Sequence, residues 1–263
     1  MPLLVIKLVL TPVGIAAVTL AGRRWGPSVA GWLTGFPLTS GPVSVFLALE
    51  QGPKFASQAA LGTLAGLIAS GSFSVAYSRL AACRRWLLSA VVALITYSAV
   101  TIGLGAAQLV QLGVAPLFAG VVVVNASLVD LLPRGERRAH TRAPAWDLPL
   151  RMAAATGFVI GITTAAAVLG PTATGLLSPF PVFGSVLATF THAHEGAAAA
   201  QQLLRAFVIG QFAFASFFLV VAVALPRVTL LSTYVIAGLV ALMVNLGVRP
   251  LLGGMARQSA RKT

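Results

Sequence analysis

Apolar runs of roughly 20 residues follow one another along almost the whole sequence, each long enough to cross the ~30 Å hydrocarbon layer of a bilayer as a helix. In lipid every backbone donor and acceptor has to be satisfied within the protein, which leaves helices or a closed barrel. Short segments of alternating polarity, the mark of a barrel, are absent. The pattern predicts an all-α membrane protein of about nine transmembrane helices. With 58% hydrophobic and 9% charged among 263 residues, the chain has too little polar surface to coat a soluble globule.

The net charge of +13 would point to nucleic acid in a soluble protein. Here the basic residues sit in loops between apolar runs, and they sort by side. With the N-terminus set outside, the cytoplasmic loops carry Arg23 and Arg24, then Arg79, Arg84 and Arg85, then Arg134 to Arg142. The C-terminal tail adds Arg257, Arg261 and Lys262, whereas the outer loops hold only Lys54 and Arg227. That asymmetry follows the positive-inside rule. It predicts a multi-pass protein of the bacterial cytoplasmic (inner) membrane, N-terminus outside and C-terminus cytoplasmic. The partner is the bilayer, with no nucleic acid. Met1 to Lys7 lacks a basic region ahead of its apolar run and is read as the start of a retained first helix. The single cysteine, Cys83, excludes an intramolecular disulfide.

The stretch 26–52 recurs at 170–196. A shift of 144 positions lays Gly26, Pro27, Gly31, Leu33, Phe36, Pro37, Phe46 and Gly52 on Gly170, Pro171, Gly175, Leu177, Phe180, Pro181, Phe190 and Gly196. The same shift pairs Lys7 with Arg151, Gln58 with Gln202, Gly66 with Gly210, and Gly103 with Gly247. The chain therefore divides into a first four-helix repeat (1–108), a linker helix (109–132), a basic cytoplasmic loop (133–149), a second repeat (150–252) and a basic cytoplasmic tail (253–263). One extra span between the copies makes the second enter the membrane from the opposite side. This is an inverted-topology repeat, with proline-broken second and seventh helices, a plan used by many secondary transporters.

The run G-L-L-S-P-F-P at 175–181, followed by an amphipathic span, resembles the GlpM-like proteins, small four-helix proteins of bacterial inner membranes. The likeness covers about 174–225 and, more weakly, 31–77. It implies a fused duplicate of a four-helix unit and names no substrate.

The two breaks are the first candidates for chemistry, because irregular backbone at membrane depth needs protein or a water-filled cavity to satisfy it. Phe36, Pro37, Thr39, Ser40 and Gly41 in one copy, with Phe180, Pro181 and Ser185 in the other, form a candidate substrate site near the midplane. The plainer alternative is a pair of packed kinks. A helix restarting after each proline offers free N–H groups that favour an anion, and Arg205 adds a cation where the first copy has Leu61. Arg205 could instead snorkel to the headgroups or pair with Glu195. Glu50, His192, His194 and Glu195 are candidates for gating or proton sensing, against the alternative of solvated helix ends. Histidines at i and i+2 diverge by about 200° on a helix, so no metal site is expected. No cofactor is expected, and neither is catalysis, because the apolar spans lack an acid/base pair.

The function these features favour is a small secondary transporter or flippase for a small metabolite, with anions preferred, bound between the broken helices. The alternative is a non-transporting scaffold or regulatory subunit of an envelope pathway. Pairing with a second copy is left open.

Overall fold

The computed structural model describes residues 2–37, 40–83, 85–133, 144, 146–157, 160 and 181–259. Among these the chain is helical, with no strand: α1 (Pro2–Trp25), α2 (Pro27–Thr34), α3 (Ser40–Gln51), α4 (Pro53–Ala81), α5 (Trp86–Ala106), a 3-10 turn (Leu109–Leu112), α6 (Val114–Leu131), α7 (147–157), α8 (Val182–Glu195), α9 (Ala197–Ala224) and α10 (Leu230–Ser259). Five of the described helices are long and apolar enough to cross a bilayer: α4, α5, α6, α9 and α10 up to Val248.

Helices α4 and α9 form the centre. Their most apolar windows are 72% and 78% buried within the protein, against 17–22% for α5, α6 and α10. The outer helices turn apolar faces outward: Leu87, Val91 and Ile95 on α5, and Leu231, Val235, Leu239, Leu242 and Leu246 on α10, are all exposed. In water so large an apolar surface would drive aggregation, whereas against lipid tails it costs nothing. This is a membrane-protein architecture.

α4 and α9 run antiparallel. Ser57 Oγ donates to the Ala222 carbonyl (2.8 Å), Gln211 Nε2 to Ser70 Oγ (2.8 Å), and Gln201 Nε2 to the Ser78 carbonyl (2.9 Å). The small residues of α4, among them Ala56, Ala60, Gly62, Gly66 and Ala69, let α9 come close. Buried hydroxyls bond backward to the turn before them, as Thr63 does to Ala59 and Ser74 to Ser70, which spares the apolar interior unsatisfied groups. Two apolar clusters stack end to end along this pair. One holds Leu64, Leu67, Phe214, Phe217 and Phe218, with α6 and α10; the other holds Ile15, Phe73, Tyr77, Leu187, Leu203 and Leu204, joining α1, α5 and α8. Ser70 and Gln211 lie between them along the helices.

Both central helices start at a sharp corner. Gly52 (φ 89°) and Gly196 (φ 89°) precede α4 and α9 in a backbone conformation that a side chain would strain, and Pro53 fills the first position of α4, where no N–H is needed.

Candidate functional site

The first break falls where the sequence puts Pro37. α2 ends at Thr34 and α3 begins at Ser40, and the Gly41 N–H donates to the Pro37 carbonyl (3.0 Å), closing the first turn of the new helix. Pro37 and Gly41 are buried and Ser40 half-buried. Phe36 packs on the apolar cluster of α4 and α9, and Gly41 faces the Phe217 ring. On the other side α8 opens at Pro181, whose carbonyl accepts the Ser185 N–H (2.6 Å), while Ser185 Oγ donates to the Val182 carbonyl (3.0 Å). Thr39 and Phe180 lie outside the described residues.

The first break and the start of α8 both lean on α9. A Cβ added to Gly35 would stand 2.4 Å from Gly210 Cα and 2.8 Å from the Phe207 carbonyl oxygen; one added to Gly184 would stand 3.3 Å from the Phe207 ring. Phe207 thus touches the first break through its backbone and the start of α8 through its ring. Gly31, one turn before Gly35, meets the Leu203 carbonyl so closely that a Cβ there would sit 1.9 Å from the oxygen. The glycine spacing Gly31/Gly35 is therefore a packing seam between α2 and α9.

Arg205 stands on α9 between Leu203 and Phe207, 6% exposed. Its Nη1 donates to the carbonyls of Val129 and of Leu132, the latter at 2.8 Å. Those carbonyls close α6, where the Val129 oxygen also accepts the Leu132 N–H (3.3 Å) and the helix dipole favours a cation. The guanidinium thereby ties α9 to the end of α6.

The richest polar constellation is at the end of α4 that carries Arg79. Asp147 opens α7 and is fully buried; its Oδ2 accepts from Arg23 Nη2 (2.9 Å) on α1 and from Arg151 Nε (2.9 Å) one turn along α7. His194 Nε2 on α8 is 3.3 Å from Oδ1, an ion-pair distance once the ring is protonated, although Oδ1 receives no aligned hydrogen bond. The Arg151 guanidinium lies 5.3 Å over the Phe190 ring, and Trp146 meets His194 edge-on at 5.4 Å. Tyr77 of α4 reaches His192 Nδ1 at 3.3 Å. One carboxylate thus holds α1, α7 and α8 together beneath an aromatic cover.

The candidate gating residues are split by this geometry. His192 and His194 stand in the Asp147 cluster, and Glu195 is close enough to act on the Arg151 charge. Glu50 is exposed at the end of α3, near the opposite end of α4. Sequence reasoning missed Asp147 and Tyr77 as site residues and took Arg151 as the repeat partner of Lys7. The available signal was the i, i+4 spacing of Asp147 and Arg151, which puts acid and base on one helix face.

Comparison of the chain with protein-family models, with curated proteins and with solved structures finds no match.

Proposed function

We propose that the chain is a secondary transporter or flippase of the bacterial inner membrane, built from two inverted copies. Its site for a small, anionic metabolite lies at the midplane between the two breaks. The observation that carries this is a pair of contacts. Replacing each residue by its partner 144 positions away turns the Ser57–Ala222 hydrogen bond into Gln201–Ser78, which is also made. Two contacts that exchange in this way are what a two-fold axis between the copies produces. Because α4 and α9 are antiparallel, an axis exchanging them is perpendicular to both and so lies in the membrane plane. Helix bounds support the same reading: α4 and α9 begin at Pro53 and Ala197, and α5 and α10 at Trp86 and Leu230.

With α2 and α3 counted as one interrupted span, and α8 as the end of another, nine crossings put the two ends on opposite sides, and the arginine distribution favours the N-terminus outside and the C-terminus in the cytoplasm. The Asp147 cluster then closes the cytoplasmic end of the route, and its breakage opens it. The resemblance of 174–225 to the four-helix GlpM-like proteins fits a fused duplicate.

Uptake by proteoliposomes against a panel of small organic anions tests the reading. Uptake above that of empty vesicles is expected for at least one compound, and Thr39→Val, which removes a hydroxyl at the first break, is expected to cut it about tenfold, the effect of losing roughly 1.4 kcal/mol. Uptake equal to empty vesicles across the panel, from folded protein, would favour the scaffold alternative.

A further inference from the structure

Two amide oxygens are left over in the middle of the apolar interior. Asn125 on α6 and Gln211 on α9 are each 2% exposed, and neither Asn125 Oδ1 nor Gln211 Oε1 accepts a hydrogen bond. They converge. A Cβ built on Gly71 of α4 would be 3.0 Å from Asn125 Oδ1 and 3.8 Å from Gln211 Oε1. Ser70, fully buried, adds a third oxygen, since its Oγ accepts from Gln211 Nε2 (2.8 Å). The direction of Asn125 is fixed by its own helix: Nδ2 donates to the Val121 carbonyl (2.9 Å), and the reverse orientation would set two acceptors face to face. The place is also notable in the repeat, for Gln211 replaces Leu67, and Ser70 is replaced by Phe214. An apolar pair would have satisfied packing at these positions; the chain instead carries polar groups that are costly to bury unpaired.

We propose that Asn125 Oδ1, Gln211 Oε1 and Ser70 Oγ form the seat of a sodium ion at the midplane, between α4, α6 and α9. Three arguments select that ligand. The two free groups are acceptors only, so the ligand is a cation or a donor and not an anion. The surroundings are crowded, because Leu128 Cδ1 stands 2.6 Å from the place of a Gly71 Cβ, which leaves no room for a metabolite and favours a small ion over a larger one. The oxygens are hard and uncharged, which suits a monovalent alkali ion better than a transition metal or a strongly hydrated divalent one. In a transporter such an ion is the coupling ion, travelling with an anionic cargo bound at the breaks. That role rests on the reading above, but the binding itself does not.

The test is therefore made on binding, with sodium alone and no cargo. Purified protein in detergent, held in choline chloride, is titrated with sodium chloride at constant ionic strength while thermal unfolding is followed. Sodium is expected to raise the midpoint by about 3 °C or more, with potassium giving a smaller shift and choline none. Asn125→Leu and Gln211→Leu are expected to abolish the sodium shift. Saturable binding of radioactive sodium to the unaltered protein, near one ion per chain, keeps the proposal testable where a variant fails to fold. It is overturned if sodium and choline give the same midpoint and no saturable binding, the result of a trapped water or of an Asn125–Gln211 amide pair closed by turning the Gln211 amide over. A sodium shift that survives both substitutions also overturns it.

Discussion

Asp147→Leu is expected to lower the unfolding free energy by about 3–5 kcal/mol, the cost of leaving a buried charge without its partner. The stranded charge is Arg151, whose side chain is 5% exposed; Arg23, at 35%, can turn toward water and contributes little. Coupling shows which effect dominates. Adding Arg151→Met to Asp147→Leu removes the stranded guanidinium and fills its volume with apolar atoms, so the double variant is expected to recover most of the loss. Denaturant unfolding in micelles reads both. If single and double variants are destabilised equally, the loss comes from packing at the start of α7 and the ion-pair account of this end is wrong. The loss should also grow with the extent to which α1 separates from α8, since Asp147 is the group that both touch.

The second large effect is expected at the α2–α9 seam. Gly35→Ala places a methyl 2.4 Å from Gly210 Cα, and Gly31→Ala places one 1.9 Å from the Leu203 carbonyl oxygen. Neither obstacle is a side chain that can rotate away; both are helix backbone, so α2 has to move. Each substitution is expected to cost about 1–3 kcal/mol or more, with Gly31→Ala the worse, and to weaken closure around the first break. Gly238→Ala is the control, because nothing lies within 4 Å of its added Cβ. There helix propensity alone acts and stability is expected to rise by about 0.5–1 kcal/mol. Equal effects at all three positions would mean that α2 does not pack on α9 through its glycines.

Much of the architecture is legible in the sequence because the physics is local or periodic. Lipid demands helices, so apolar length alone marks α4, α5, α6, α9 and α10. Pro37 marks the gap between α2 and α3 because a proline removes a donor wherever it sits. The site is less legible, because its residues meet across the fold. Arg205 reads as a free cation until the end of α6 is placed beside it. Asp147 reads as a loop residue until Arg23, 124 positions away, reaches it. Asn125 and Gln211 are common polar residues in sequence, and only their convergence over Gly71 makes them a pair. Thr39 and Phe180, expected at the two breaks, lie outside the described residues.

The central claim, a midplane site reached in turn from either side, is tested most directly by accessibility. Single cysteines are placed at Ser40 and Ser185 in a Cys83→Ser background and labelled with a membrane-impermeant maleimide in right-side-out and inside-out vesicles. Both positions are expected to react from both faces, and Asp147→Asn is expected to shift the balance toward the cytoplasmic face. Labelling from neither face, or of both positions from one face only, would contradict the account.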